Sequence, residues 1–187
     1  MKTVAVIEGF AGGPMLSQLF RKELQKSGFK IIKDKMQADI IIAHSAGCYV
    51  LPKNTSAGLI MFIGPSYWPD SPIIKRWFRK VRSDNHYTIR HFGWRFFIRK
   101  KGLEFYYIFR RPMAAWHAIS KHRRLSFLDR LNKKVILIRN SNDKFCSPKI
   151  KQAVSKMPDV RFYELPGEHD DYYTNPRPYI ALIPKDL

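Results

Sequence analysis

Residues 39–50 read Asp39-Ile40-Ile41-Ile42-Ala43-His44-Ser45-Ala46-Gly47-Cys48-Tyr49-Val50, and the rest of the chain can be interpreted outward from this segment. Its unbroken run of isoleucine and alanine predicts a β-strand that is buried on both faces, as the strands of parallel sheets are. The strand runs directly into Ser45, with the small residues Ala43 and Gly47 two positions to either side. We therefore predict a strand, a sharp turn and a helix, with the serine hydroxyl projecting from the turn.

The turn at Ser45 has the form A-x-S-x-G, one methyl group away from the G-x-S-x-G pattern of a nucleophile elbow. The same letters would also fit an ordinary tight loop between a strand and a helix. A serine hydroxyl is a weak nucleophile unless a general base takes its proton and an acid orients that base. In this architecture the acid, and then the base, follow the serine along the chain.

Candidates for both groups follow two later predicted strands. One strand leads into a polar loop that contains Asp143, and the next leads into the turn Pro166-Gly167-Glu168-His169. Because the carboxyl ends of parallel strands gather at one edge of the sheet, we expect Ser45, Asp143 and His169 to meet there. Asp170 and Asp171, directly after His169, are weaker candidates for the orienting acid, because the position of Asp143 at a strand end favours Asp143.

These segments resemble the α/β-hydrolase superfamily, and the resemblance covers nearly the whole chain. It is closest to the small single-domain serine hydrolases, typified by retinoblastoma-binding protein 9 and its bacterial relatives. The matching motifs are Ala43-His44-Ser45-Ala46-Gly47, Asn142-Asp143 with Phe145 and Pro148, and Pro166-Gly167-Glu168-His169. The resemblance implies a carboxylic-ester hydrolase, esterase-like or lipase-like. It would act through an acyl-enzyme on Ser45, with His169 as base and Asp143 as orienting acid.

An oxyanion hole is also expected, because the tetrahedral intermediate carries a negative charge that needs hydrogen-bond donors. One donor is the backbone N–H of Ala46, directly after the nucleophile. The second is assigned to the N–H of Phe10, with Ala11 as the fallback, in the glycine-rich loop 8–14 that resembles the oxyanion loop of the superfamily. A phosphate-binding loop is the alternative, but residues 8–14 lack both G-x-G-x-x-G and a G-K-[ST] ending.

The predicted fold class is α/β, a three-layer α/β/α sandwich with a six-stranded, mostly parallel sheet. We expect all six strands to be parallel if the crossovers are right-handed, and the resemblance implies the spatial order 2-1-3-4-5-6. A helix is predicted from Pro14 until Gly28 ends it, with Leu16, Leu19, Phe20 and Leu24 at helical spacing. The strands are predicted at residues 3–7, 29–32, 40–43, 59–63, 135–139 and 160–164.

Residues 66–131 do not fit this alternation of strands and helices, since a single crossover helix needs far fewer residues. We interpret residues 1–187 as a single domain in which 66–131 form a helical cap insertion over the serine. The cap is basic and aromatic: residues 75–130 contain 16 Lys and Arg against 3 acidic residues, in a chain of formal charge +19. Such a composition is typical of surfaces that contact anionic membranes or acidic ligands, and of platforms for single-stranded nucleic acid.

A basic surface that serves only solubility would have the same composition, so this interpretation stays open, and nucleic acid is the less favoured partner. The small-molecule partner implied by the resemblance is an ester, and the oligomeric state is left open. An alternative function is a catalytically lapsed hydrolase fold whose cap binds anionic lipid, nucleic acid or a protein.

No metal site and no cofactor are expected. The two cysteines lack metal-site spacing, and the histidine pairs 86/91 and 117/122 are five residues apart, which does not place them on one helix face. No apolar run approaches the length of about 20 residues that a membrane span requires. The amino terminus is not typical of a secretory signal, so we expect a soluble, cytoplasmic protein.

Overall fold

The computed structural model of the chain describes residues 1–9, 16–51, 54–67, 69, 73–110, 112–113, 125, 128 and 132–184. For residues 73–84 and 107 this description covers the backbone only. All statements below concern these residues.

The described chain forms one six-stranded sheet in the order β2-β1-β3-β4-β5-β6. Every neighbouring pair is parallel, so the predicted order and direction of the strands are confirmed. The central strands β3 and β4 are buried at every residue, which explains their nearly uninterrupted apolar sequence. The strands are β1 (Thr3–Ile7), β2 (Lys30–Ile31), β3 (Ile40–His44), β4 (Leu59–Ile63), β5 (Lys134–Asn140) and β6 (Val160–Leu165).

Alternate residues of the strands point into two separate apolar clusters, one on each face of the sheet. One cluster joins Ile42 and Ile138 to Phe20, Leu24 and Tyr172. The other cluster joins Ile41 and Leu137, which neighbour these residues along the strands, to Cys48, Cys146 and a helix after β5. Helical layers therefore cover both faces, which makes the molecule the predicted α/β/α sandwich.

The described helices are α1 (Gln18–Lys26), α2 (Ile73–Arg110), α3 (Lys149–Val154) and α4 (Arg177–Ile180), with short 3-10 helices at Ser45–Tyr49 and Asp171–Tyr173. The helix predicted from Pro14 begins at Gln18 in the structure, because Leu16 and Ser17 form a turn before it. Pro14 itself lies outside the described residues. Of the apolar residues at helical spacing, Phe20 and Leu24 are buried, whereas Leu19 is 42% exposed.

Helix α2 is the dominant described element of segment 66–131. It contains a kink at Gly93, whose φ of 78° lies outside the helical region. Before the kink Tyr87 and Thr88 are buried, whereas after it many side chains are exposed to solvent. We call residues 85–92 the inner arm of α2 and residues 94–110 the outer arm. That residues 66–131 form a cap over the serine stays a prediction.

Candidate active site

Ser45 lies at the carboxyl end of β3, at the start of the 3-10 helix, and is 3% exposed. Its φ of 53° is in the left-handed region, which a residue with a Cβ atom adopts only at a cost in energy. The turn is so tight that a Cβ atom on Gly47 would lie 2.5 Å from the Glu8 carbonyl oxygen and 2.7 Å from that of Ile7. Only glycine fits there, which is the physical reason for the glycine in A-x-S-x-G.

Asp143 and His169 are in direct contact at the same edge of the sheet. His169 Nδ1 lies 2.8 Å from Asp143 Oδ2, and both side chains are buried. The other carboxylate oxygen, Oδ1, accepts the backbone N–H groups of Phe145 at 2.7 Å and Cys146 at 3.0 Å. Because the loop after β5 holds one oxygen, the other is fixed in direction toward the imidazole. The Phe145 ring packs edge-on against the imidazole, with 4.7 Å between the ring centroids.

The segment 64–66, directly after β4, lies between the serine and the aspartate–histidine pair. Ser66 Oγ is 3.2 Å from Ser45 Oγ, and the Ser66 carbonyl accepts a hydrogen bond of 2.7 Å from Tyr49 in the 3-10 helix. Two residues earlier, a Cβ atom on Gly64 would lie 2.9 Å from Asp143 Oδ2 and 3.1 Å from His169 Nδ1. One short segment therefore contacts the surroundings of all three candidate residues, because β4 separates β3 from β5.

The remaining predicted site residues are placed as follows. Ala46 is 4% exposed and lies in the first turn of the 3-10 helix, where backbone N–H groups have no partner within the helix. Phe10 and its fallback Ala11 lie outside the described residues. Asp171 accepts the Glu168 backbone N–H at 2.9 Å and so shapes the turn that carries the histidine. The carboxylate that is hydrogen-bonded to the His169 ring is that of Asp143.

His44 is not among the residues that the sequence predicts for the site, yet it packs against the loop that carries His169. It is 3% exposed, and its Nε2–H donates to the His169 carbonyl oxygen at 3.2 Å. The ring centroids of His44 and His169 lie 4.7 Å apart, and the His44 ring also packs against Tyr172, at 4.4 Å between centroids. The position of His44 directly before Ser45 was the available signal for a role in the site.

Glu8 directly follows β1 and begins the loop 8–14, to which the second oxyanion donor was assigned from the sequence. Its Oε2 accepts the hydroxyl of Tyr172 at 2.7 Å, and its Oε1 accepts hydrogen bonds from Ser17 and, at 3.3 Å, from Arg21. Burial raises the pKa of the Glu8 carboxyl, and these three partners partly offset that rise. Glu8 therefore joins β1 to α1 and to the segment after the histidine loop.

The inner arm of α2 is attached to the histidine loop. The Tyr87 hydroxyl donates to the Asp170 carbonyl oxygen at 3.1 Å and lies 2.9 Å from Thr174 Oγ1. Burial raises the pKa of the Tyr87 hydroxyl well above its ordinary value, so it stays protonated as a donor. Asp170 directly follows His169, so this contact places α2 next to the candidate site.

One group of possible metal ligands occurs among the described residues, formed by His44, His169 and Asp170. Their ligand atoms lie within 4.8 Å of one another. A tetrahedral zinc site with bonds of about 2.1 Å needs ligand atoms about 3.4 Å apart, so the group would have to contract. His169 Nδ1 and His44 Nε2 already make the hydrogen bonds described above. We therefore interpret the group as part of the packing around the histidine loop.

No family model matches the sequence, and no curated protein matches it. Solved structures that share its fold include one reported for carboxylesterases of the thaumarchaeon Nitrososphaera gargenis, with 16% identity, TM-score 0.62, and coverage of 100% of this chain and 92% of that chain. A hydrolase from Pseudomonas aeruginosa superimposes with TM-score 0.69 at 9% identity, over 96% of this chain and 87% of the other.

The enol-lactonase of Burkholderia xenovorans is also similar in structure, at 12% identity and TM-score 0.60, over 96% of this chain and 88% of that chain. At these identities the similarity shows the fold alone. Together with the parallel sheet and its strand order, it establishes that this chain has the α/β-hydrolase fold.

Proposed function

We propose that this protein is a serine hydrolase that cleaves carboxylic esters with Ser45 as nucleophile, His169 as general base and Asp143 as orienting acid. The observation that carries the proposal is the buried 2.8 Å hydrogen bond between His169 and Asp143, at the same sheet edge where β3 presents Ser45 in a strained turn. Proteins of the same fold include carboxylesterases and an enol-lactonase, which is consistent with ester chemistry.

The hydrogen bond to Asp143 determines which nitrogen of His169 acts as the base. An ionised carboxylate only accepts hydrogen bonds, so Nδ1 carries the proton of the neutral imidazole. The lone pair is then on Nε2, which takes the Ser45 proton as Oγ attacks the ester carbonyl. The resulting imidazolium is stabilised by the Asp143 carboxylate. The same proton passes from Nε2 to the leaving alkoxide, which departs as the alcohol.

The acyl group then remains on Ser45 Oγ and is removed by water. Nε2 takes one proton from the attacking water and returns it to Oγ as the acyl–oxygen bond breaks, releasing the carboxylic acid. Both tetrahedral intermediates carry an oxyanion. The Ala46 N–H is assigned as one donor to it and the Phe10 N–H as the second, each worth roughly 3 kcal/mol of transition-state stabilisation.

We further propose that segment 66–131 is a helical cap over the serine within a single domain. Two contacts support this interpretation. The segment begins at Ser66, beside Ser45, and the inner arm of α2 binds the histidine loop through Tyr87. Walls built from this segment would select the acyl group, so the preferred chain length depends on it.

The test is covalent labelling with a fluorophosphonate probe, which reacts only with an activated serine. We expect wild-type protein to be labelled, Ser45→Ala to be unlabelled, and Asp143→Asn to be labelled much more slowly because the imidazole loses its correct tautomer. Ser155→Ala is the matched control, since Ser155 is an exposed serine at the end of α3, and it should be labelled like the wild type.

A panel of chromogenic esters with acyl chains of increasing length then measures hydrolysis by the same variants. Wild-type protein that is folded by circular dichroism but unlabelled would overturn the proposal. That result would favour the alternative, a hydrolase fold that retains the residues of the site and acts only by binding.

A further inference from the structure

The outer arm of α2 carries a stripe of four exposed apolar side chains, with a gap of about two turns between Ile98 and Phe105. Trp94 is 64% exposed, Ile98 66%, Phe105 60% and Phe109 81%. At about 100° per residue, the spacings of four, seven and four place all of them within about 60° of the helix circumference. The stripe is about 22 Å long, from the rise of about 1.5 Å per residue. We call these four residues the outer-arm stripe.

Arginines border the stripe along its length. Arg95, Arg99 and Arg110 are exposed and project about 40° to 100° beyond one edge of it. Residues 94–110 contain five basic residues and one acidic residue, a net charge of 5 − 1 = +4. Of the other basic residues, Lys100 is buried and donates to Thr88 Oγ1 at 3.1 Å, and Lys101 pairs with Glu104. The exposed charge of the outer arm therefore comes from the three arginines.

The opposite side of this helix region is anchored to the body of the protein. Phe92 and Phe96 stack at 4.8 Å and pack against the apolar cluster of the sheet. Lys100 reaches across the kink to Thr88, and Tyr87 binds the histidine loop. The stripe is thus on the face of a fixed helix that turns away from the core, and most of the surface of each of its side chains is exposed to solvent.

We propose that the outer-arm stripe and its three arginines dock the protein on the surface of an anionic lipid bilayer. A helix that lies in the plane of the interface buries a narrow apolar face at the level of the acyl chains. Its bordering arginines then extend their charged ends to the lipid phosphates. Trp94 at one end of the stripe suits the boundary between headgroups and acyl chains. No helix in the described part of the chain is long and apolar enough to cross a membrane.

Two other occupants fit the same face less well. A second copy of this chain, related by two-fold symmetry, would bring arginines close to their own counterparts around the contact, which is unfavourable for like charges. Single-stranded nucleic acid binds where a cationic groove follows the phosphates and rings stack on the bases. Among the described residues, the arginines lie at the border of the outer-arm stripe and form no groove. The aliphatic Ile98, which cannot stack on a base, lies between the aromatic rings of the stripe. The docking proposal does not depend on the catalytic proposal, because the face contains none of its residues.

The test is sedimentation of the full-length protein with vesicles of phosphatidylcholine mixed with phosphatidylglycerol, compared with phosphatidylcholine alone. We expect binding to the anionic vesicles that weakens as salt rises. The triple variant Arg95→Gln, Arg99→Gln, Arg110→Gln should bind about a hundredfold more weakly, since each cation near the surface changes the partition coefficient about fivefold. The control Lys22→Gln, Lys33→Gln, Lys151→Gln removes the same charge from exposed positions elsewhere and should bind much more tightly than that variant.

The apolar stripe is tested separately with Phe105→Ser, Phe109→Ser, which should weaken binding by at least about tenfold. Its control is Leu19→Ser, Met36→Ser, which removes two other exposed apolar side chains and should leave binding unchanged. Ser45→Ala should bind like the wild type whether or not the protein is a hydrolase, so the two proposals can fail independently.

Three results would overturn the docking proposal. The first is no binding of wild-type protein to anionic vesicles at low salt, and the second is equal binding by the stripe variants and their controls. The third is release of the protein from the vesicles by a single-stranded oligonucleotide whose own binding is lost in Phe105→Ser, Phe109→Ser, which would assign the face to nucleic acid.

Discussion

Gly64→Ala is expected to disturb the proposed catalytic pair directly, because the added methyl group would lie against both of its members. With a φ of 51°, Gly64 is in the left-handed region, where an added Cβ atom costs about 1–2 kcal/mol. That atom would also lie 2.9 Å from Asp143 Oδ2, 3.1 Å from His169 Nδ1 and 3.2 Å from His169 Cε1. These contacts are shorter than ordinary van der Waals distances, so the carboxylate and the imidazole must move by several tenths of an ångström.

The displaced atoms are those that form the 2.8 Å hydrogen bond. We therefore expect the free energy of unfolding to fall by about 1–2 kcal/mol from the backbone strain. The rate constant for ester hydrolysis should fall by about ten- to a hundredfold, since misplacement of catalytic groups by up to 1 Å costs about that much. KM should change little, because the new methyl group faces the catalytic pair.

Gly28→Ala is the matched control. Gly28 ends α1 with a φ of 88°, and a Cβ atom there would have no heavy atom within 4 Å. Its variant should lose a similar amount of stability by urea denaturation but hydrolyse a chromogenic ester at the wild-type rate. If Gly64→Ala loses stability yet keeps the full rate, the assignment of Asp143 and His169 to catalysis is contradicted. If Gly28→Ala slows hydrolysis equally, destabilisation alone accounts for the effect.

Two further predictions concern stability and reactivity away from the catalytic pair. Hydrogen bonds from the Thr3 backbone N–H and then the Thr3 hydroxyl, both 2.7 Å, hold the pKa of the exposed Asp39 carboxyl below its ordinary value. The stability this carboxylate contributes is therefore present above the ordinary aspartate pKa and is lost as the pH falls through the lowered pKa. Asp39→Asn should cost at most about 1 kcal/mol at neutral pH, given solvent screening, and the difference should shrink on acidification. Urea denaturation at a series of pH values measures this, and a difference that does not depend on pH would contradict it. Burial raises the pKa of both Cys48 and Cys146. The native protein should therefore react slowly with a chromogenic thiol reagent at neutral pH, whereas both thiols should react quickly in denaturant. Rapid labelling of the native protein would contradict this burial.

Most strands could be located from sequence because they are apolar runs that lie between polar or glycine-containing segments. The predicted strands agree with the observed ones to within one or two residues at each end. The boundaries of α1 were less predictable. The helix pattern extends back to Leu16, which is buried, but Ser17 binds Glu8 through its side chain, and regular helix begins only at Gln18. A contact between residues nine apart decides that boundary.

Residues after β5 and β6 could be proposed for the site because adjacent parallel strands end at one edge, and Asp143 and His169 are in contact there. The role of His44 in packing the histidine loop could not be found in this way. That role depends on the contact between His44 and His169, which are 125 positions apart, and on the contact of His44 with Tyr172. The kink at Gly93 was equally inaccessible, because a glycine inside a helical pattern is compatible with either a straight or a broken helix.

The left-handed backbone of Ser45 implies a trade-off between folding stability and the proposed activity. Among the described residues it is the one that adopts a positive φ without being a glycine. Ser45→Gly would relieve about 1–2 kcal/mol of backbone strain in the folded protein. Part of this stabilisation would be lost, because glycine makes the unfolded chain more flexible. A substitution chosen only to increase stability would therefore remove the residue on which the proposed chemistry depends. The strained backbone at Ser45 is thus a cost in stability that the proposed chemistry would account for.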